Sequence, residues 1–436
     1  MSKVEIGQLI DERKLAPLQI LVMVLSFLVV WLDGYHIQSM SLVVPTIAAE
    51  WHVKSTDFKL VVSAALIGIL LGSATIASMG DRWGRRKVLI ISMVIVGISS
   101  IFTGYANGMT GLVISRFATG LGLGASIPNA TALTSDYVPS KRRAALVTLM
   151  FSGVAIGAFT SGYIAAPIVE HFGWRGLFTI GGVVPLFMGL VLAVAMPESL
   201  RLLLANAPND PRIPKILARL APDVDAGTVY AKKSEVRRGS VLELLGRSYL
   251  KGTLLLWFVF FLNMFILYLL VNWLPVLLSA QGWSAAQAQR GSVMNQLGGV
   301  LGGLILSYYV DKGKTVISTI TSYGLTAIAF WLFAVLPSSG PSWWILLTVV
   351  GGGISGAQFV INALAAGFYP PVIRSTGVGW AFSVGRVGAV LSGFVGGWIL
   401  QMQVAPFAML EMLVIPVVLC MVGVFMFRNV FQAGKA

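Results

Sequence analysis

The stretch FLVVWLDGYHIQSM, residues 27–40, sets a carboxylate, Asp33, and an imidazole, His36, three positions apart in an otherwise apolar run. On a helix that spacing puts both on one face about a turn apart, with Gly34 and the Tyr35 hydroxyl between them. An ionised side chain in hydrocarbon costs several kcal/mol unless it faces a cavity or a partner, and a carboxylate escapes the cost by taking up a proton. The chemistry this suggests is proton carriage by Asp33 and His36; the bland alternative is a fixed ion pair between Asp33 and an arginine. Two arginines lie in apolar runs of their own, Arg116 in RFATGLGLG and Arg386 in VGRVG. A guanidinium stays charged and grips a carboxylate through two parallel hydrogen bonds, so one of the two is expected to hold an organic anion.

Uncharged polar and aromatic residues add to these: Asn129 beside Pro128, Asn263, Tyr268, Asn272, Trp273, Asn295, Gln296, Gln358, Asn362, Trp380 and Phe382. Flat rings with a few hydrogen-bonding groups suit a small ring-bearing ligand. Tyr35, Asn129, Asn272, Trp273, Gln296 and Gln358 are taken as candidate binding residues. Glu411 is a further acid in the last apolar run, with no role that its neighbours define. The glycines of GLGLG have no strand-turn-helix setting, so packing explains them better than a nucleotide. HExxH and GxxxxGK[ST] are missing, and no strand-turn-helix context frames a GxSxG serine, so no enzyme, cofactor or metal centre is expected.

These residues need long apolar elements to carry them. The 436 residues are 56% hydrophobic and 11% charged, with a mean hydropathy of +0.84, which is the composition of a membrane protein. Runs of about 20 apolar residues, enough for a helix to cross a bilayer, recur along the chain, whereas barrel strands would be half as long and alternate in polarity. Twelve spans are expected, near 18–47, 58–79, 88–106, 109–134, 145–168, 174–196, 251–279, 287–309, 316–336, 342–367, 375–400 and 405–427. The fold class is thus an all-α membrane protein of twelve transmembrane helices in two six-helix halves. The expected divisions are an N-terminal segment 1–17, a half 18–196, a linker 197–250, a half 251–427 and a tail 428–436. The polar start is unlike a cleaved signal peptide, and the single cysteine, Cys420, excludes an intrachain disulfide.

The net charge of +14 is spread over alternate connections: Lys3, Arg13 and Lys14; Arg82, Arg85, Arg86 and Lys87; Lys141, Arg142 and Arg143; the linker; Lys312 and Lys314; Arg374; Arg428 and Lys435. The intervening GYANGM and PSSGPS carry none. This positive-inside asymmetry places both termini in the cytoplasm and argues against a nucleic-acid partner, which would concentrate charge on one domain. In the linker, PRIPKILARLA has helical spacing and basic residues, and a short helix against the anionic leaflet is expected.

The halves echo each other. GDRWGRRKVLI follows span two as VDKGKTVIS follows span eight, and KRRAALVTLMFSGVAIGAFTSGYIAAPI opens span five as IRSTGVGWAFSVGRVGAVLSGFVGGWIL opens span eleven. Parallel six-span repeats are a transporter architecture. Small residues at four-residue spacing, Gly153–Gly157–Ser161 and Gly385–Ala389–Gly393, predict close backbone contacts.

GDRWGRRK resembles the loop motif of the major facilitator superfamily. LDGYH, RFATGLGLGASIPNATALTSDYVPSKRR, NWLP and YPPVIRSTGVGWAFSVGRVGAVLSG together resemble its aromatic acid:proton symporters, over nearly the whole chain. Two positions depart from the pattern: Ala77 stands where the loop motif has glycine, and His36 where the span-one motif has a second aspartate. The resemblance implies import of a small aromatic carboxylate, benzoate-like, hydroxylated or methoxylated, with protons as the coupling ion; a monomer in the cell inner membrane is expected. The family's span-four arginine, associated with proton coupling, is similar to Arg116, so Arg116 is expected to pair with Asp33 and Arg386 to face the carboxylate. By the same resemblance Asp81, Arg85, Asp136 and Arg374 form a gating latch, with Arg85 reaching Asp136 and Asp81 capping the helix that starts near Arg374. The alternative on the same fold is proton-antiport export of organic anions or drugs; such exporters carry a glycine-proline pair in span five, which FSGVAIGAFTSGY lacks.

Overall fold

In hydrocarbon a lone segment satisfies its backbone hydrogen bonds only as a helix, and among the described residues the apolar runs of this chain are built of helices. The computed structural model describes residues 4–224, 226–230, 241–336, 341–369, 373–402 and 406–433. Span one is Pro17–Glu50, span two Lys59–Ala74, span three Arg85–Gly104 and span four Met109–Tyr137. Spans five and six fall within Arg143–Ala195, whose 53 residues would measure about 80 Å as one straight helix at 1.5 Å per residue, far more than one crossing needs. Gly173 breaks it: its φ of 68° lies where side chains are disfavoured and glycine is at ease, so the chain turns there. Spans seven to eleven are Leu250–Ala280, Ala285–Asp311, Thr315–Val335, Pro341–Phe368 and Arg374–Gln401. Span twelve is Val414–Ala433, preceded by a short helix, Pro406–Met412, that carries Glu411 exposed near its end.

By contacts the chain divides into two compact units. The first holds Met1–His36, Ile67–Gly157 and Arg175–Glu235; the second holds Ile37–Leu66, Ala158–Trp174 and Val236–Ala436. The boundary therefore cuts spans one, two and five within their length.

In the first unit, span one lies so close to span five that a Cβ on Gly34 would strike the Val154 carbonyl, and one on Gly157 the Trp31 carbonyl. The small-residue spacing read from the sequence makes this contact. The N-terminal segment and the linker add a small folded layer. Strands Val4–Glu5 and Val229–Tyr230 pair in parallel, and helices Ile6–Asp11 and Arg212–Leu220 bury Ile6, Leu9, Ile10, Ile213, Ile216, Leu217 and Leu220 in one apolar cluster with Leu200, Leu203 and Leu204. The linker helix thus turns its apolar face into protein and not onto a leaflet, because the N-terminal helix supplies a complementary apolar stripe. Arg13 grips Asp223 with two bonds of 2.5 Å, and Asp11 accepts from the Ser140 amide and hydroxyl at 2.6 and 2.7 Å. Both carboxyls sit below the usual range, Asp223 at about 2, held there by Arg13, and Asp11 by its Ser140 hydrogen bonds.

In the second unit, spans eight and ten approach through Gly298, Gly302 and Gly351, and spans seven and eleven through Gly388 against the Phe261 carbonyl. Trp343, Phe333 and Phe330 are fully buried there, with the Trp343 and Phe333 rings tilted against each other at 4.6 Å between centres.

Candidate functional site

The first unit concentrates its buried charge on spans one and four. Asp33, Tyr35, His36 and Arg116 are all buried. Ser126 Oγ lies 2.5 Å from Asp33 Oδ2 and 2.8 Å from the Leu123 carbonyl, while Asp33 Oδ1 has no hydrogen-bond partner among the described residues. A serine hydroxyl has one proton to give and two lone pairs to receive with. It can donate to an ionised Asp33, or accept from a protonated Asp33 and donate to Leu123, so the same geometry serves both charge states.

Arg116 does not pair with Asp33. Its Nη2 donates to Thr119 at 2.8 Å and its guanidinium carbon stands 4.9 Å from the centre of the Phe178 ring, a favourable cation–π arrangement. The reason is axial: Ser126, which reaches Asp33, lies ten residues after Arg116, about 15 Å along the helix. Arg116 instead lies within electrostatic reach of Tyr35 and His36. Thr119 is held in turn by Ser99 at 2.8 Å, and Thr103 donates to Ser115 at 3.0 Å, so hydroxyls from spans three and four brace the arginine. The Tyr35 hydroxyl donates to the Leu177 carbonyl at 2.8 Å, and its ring meets His36 edge-on at 5.2 Å.

Of the remaining candidates in this unit, Asn129 ties the Ala77 and Ala125 carbonyls at 3.2 and 2.9 Å, joining span four to the turn after span two. Arg85 contacts Asp136, donates to the Ala132 carbonyl at 3.0 Å and reaches Asp81 at 3.4 Å. Asp136 also receives Ser199. Arg86 extends the cluster to Glu198, whose Oε1 accepts from the Arg86 amide at 3.3 Å, and the Glu198 carbonyl accepts from Tyr137 at 2.6 Å. Every partner of Arg85 named here belongs to one unit, so these contacts brace that unit internally. The Arg374 side chain lies outside the described residues.

The second unit carries the uncharged polar residues and Arg386. Arg386 is half-buried and within electrostatic reach of Tyr268. Tyr323 donates to Asn263 at 2.8 Å, Asn263 to Gln358 at 2.9 Å and Gln358 to Asn362 at 3.0 Å, a chain across spans seven, nine and ten. Gln296 donates to Gln38 at 3.0 Å, and Asn295 to the Leu347 carbonyl at 3.3 Å. Asn272 is buried with its amide nitrogen unpartnered among the described residues. Trp273 is fully buried, its indole lying where Cβ atoms on Gly396 and Gly397 would go; it packs span seven on span eleven and leaves no ring face for a ligand. Trp380 is exposed and stacks on Trp257 at 5.8 Å. Among the described residues no group of His, Cys, Asp and Glu is placed to hold a metal.

Sequence reasoning missed Ser126, Thr119, Phe178, Gln38 and Glu198. Ser126 hides among the small residues of GLGLGASIPN, read as packing, and Glu198 sits just past a span end. Gln38, five residues after Asp33 in a polar-poor run, was the most visible of them.

Twelve membrane-crossing helices with buried charge at mid-span define a membrane transporter and not an enzyme, and the chain belongs to the major facilitator superfamily, whose model matches residues 20–393 and, in a second match, 256–433. It is 36% identical over 429 residues to the 4-hydroxybenzoate transporter PcaK of Pseudomonas putida, covering 97% of this chain and 95% of that one. It is 34% identical to the 4-hydroxybenzoate transporter PcaK of Acinetobacter baylyi, covering 97% and 94%, and 31% identical to a gallate transporter of Pseudomonas putida, covering 92% and 90%. The fold matches that of the xylose transporter XylE from E. coli, with a TM-score of 0.73 at 18% identity over 94% of this chain and 96% of that one.

Proposed function

We propose that this transporter imports a small aromatic carboxylate, benzoate-like or hydroxylated, together with protons, by alternating access in the cell inner membrane with both termini cytoplasmic. The substrate class is supported by relatives named for 4-hydroxybenzoate, gallate and benzoate, among them a benzoate transport protein 30% identical over 98% of this chain. The observation that carries the coupling is Asp33, buried in mid-span and bonded to a hydroxyl that accommodates both its charged and its neutral form. Arg386, half-buried in span eleven, is the guanidinium assigned to the substrate carboxylate, with Tyr268 within electrostatic reach. Arg116, covered by Phe178 and braced by Thr119, holds a fixed positive charge near His36. No cofactor is required, since the proton gradient supplies the work.

The test is uptake of labelled benzoate, 4-hydroxybenzoate and gallate into proteoliposomes, with an acid exterior or symmetric pH, for the wild type and Asp33→Asn. Uptake that needs the gradient and disappears in the variant supports the reading. Uptake indifferent to pH, or exit of preloaded acid with no entry, overturns it.

A further inference from the structure

The seventeen acidic residues of the chain are unevenly placed. Glu5, Asp11 and Glu12 precede span one, and Asp57 lies in the turn before span two. Glu50 is the last residue of span one and accepts from Trp174 at 2.7 Å. Asp81 and Asp136 belong to the cluster around Arg85, Glu170 lies three residues before the break at Gly173, and Asp311 ends span eight. Glu198, Asp210, Asp223, Asp225, Glu235 and Glu243 are in the linker, and Glu411 is exposed before span twelve. That leaves Asp33 as the one acid in the interior of a span.

Among the described residues its surroundings add no second carboxylate. Span four brings Ser126 to Asp33 and, ten residues earlier, Arg116. Span five brings the Val154 backbone against Gly34. Span six brings the Leu177 carbonyl to Tyr35 and the Gly181 backbone to the same ring. His36, one helical turn from Asp33, is an imidazole and not a second carboxylate, buried with its ring edge-on to Tyr35 at 5.2 Å.

We propose that the transporter is electroneutral, carrying one proton, on Asp33, with each monocarboxylate. This rests on the proton-coupled reading above and fixes its stoichiometry. The charge balance closes on both halves of the cycle. Loaded, the carrier holds a neutral Asp33, with an O–H bond formed to a proton from the medium, and the anionic substrate. Empty, it returns with Asp33 ionised. Arg116 and Arg386 stay positive in both, so the substrate carboxylate stands in for the Asp33 carboxylate, and the membrane potential does no work on either step.

The experiment separates the two gradients in proteoliposomes bearing the full chain, using labelled 4-hydroxybenzoate, benzoate or gallate and subtracting entry into protein-free vesicles. Valinomycin with a potassium gradient sets the potential; buffers set the pH difference. The expected result is initial uptake stimulated severalfold by an acid exterior at zero potential and unchanged by an interior-negative potential at equal pH, with no substrate-induced current on a supported membrane. Uptake driven by potential alone, or an inward current, overturns the proposal and means that more than one proton accompanies each anion. Indifference to both gradients, or entry of none of the three acids, overturns it by removing the coupled reading on which it rests, a pattern distinct from potential-driven uptake. His36→Asp adds a second carboxylate at this face; it is expected to gain a potential-driven component, up to about fifty-fold in accumulation per 100 mV for one added charge. If that variant fails to fold, the wild-type measurement decides alone.

Discussion

Ser126 Oγ sits between Asp33 Oδ2, at 2.5 Å, and the Leu123 carbonyl, at 2.8 Å. One hydroxyl thereby links the buried carboxyl of span one to the backbone of span four, and it is the only hydrogen-bond partner recorded for that carboxyl among the described residues. Ser126→Ala removes the bond. A hydrogen bond to a charged group is worth about 1.5–3 kcal/mol, so gradient-driven uptake in the variant is expected to fall by about tenfold or more, whereas Ser126→Thr keeps a hydroxyl and most of the rate. Uptake assays on both variants check this; equal loss in the two would show that packing and not the hydroxyl matters.

Gly34 and Gly157 allow spans one and five to touch backbone to backbone. A methyl group at either site needs helix movement, and overpacking of this kind costs about 1–3 kcal/mol. Gly34→Ala and Gly157→Ala are expected to melt several degrees lower in detergent than wild type. Gly108→Ala, where an added Cβ meets nothing within 4 Å, serves as the control and is expected to melt with wild type.

Within the basic cluster, burial separates strong from weak partners. The side chains of Arg85 and Asp136 are 17% and 10% exposed, while that of Asp81 is 66% exposed. Removing one member of a mostly buried pair strands the other, at a cost on the order of 3 kcal/mol; an exposed pair contributes below about 1 kcal/mol. Asp136→Asn is therefore expected to lower the melting temperature clearly and Asp81→Asn hardly at all. Comparable shifts would mean that Asp81 has a stronger partner than Arg85.

The N-terminal layer should respond to acid. Asp223 titrates near 2 in the fold because of Arg13, against an ordinary 3.8, and Asp11 is lowered by Ser140. A depressed carboxyl contributes stability that is fully present above its unfolded value and is lost as pH falls through its folded one. Amide protection of Ile6–Asp11, measured by hydrogen exchange with quench correction, is expected to hold at pH 5 and weaken between about pH 4 and pH 2. In Asp223→Asn the acid-induced loss should be smaller, because part of the contact is already gone at neutral pH.

Much of this was legible in the chain itself. The spans, the mid-span Asp33 and the arginines within spans four and eleven follow from hydrophobicity, because hydrocarbon tolerates only helices and penalises every charge it contains. The sequence spans 145–168 and 174–196 leave the break between spans five and six near Gly173, where the backbone turns at a φ of 68°. The small-residue stripe likewise announced a close backbone contact for span five, and the structure shows that span one makes it.

Partner choice was decided in three dimensions. Opposite charge alone pairs Arg116 with Asp33, yet the axial offset of about 15 Å gives Asp33 to Ser126 and leaves Arg116 to Phe178 and Thr119. The linker helix has the composition of a membrane-surface helix, and only the N-terminal helix folding onto it shows where its apolar face goes. Trp273 reads as a ring for ligand stacking until the glycines of span eleven close over it. The sequence by itself determined which groups must cross the bilayer and which of them carry charge, since transfer energies are properties of single residues. Only the tertiary structure decided which group meets which, because a hydrogen bond or a ring contact depends on distances set jointly by helices far apart in the chain.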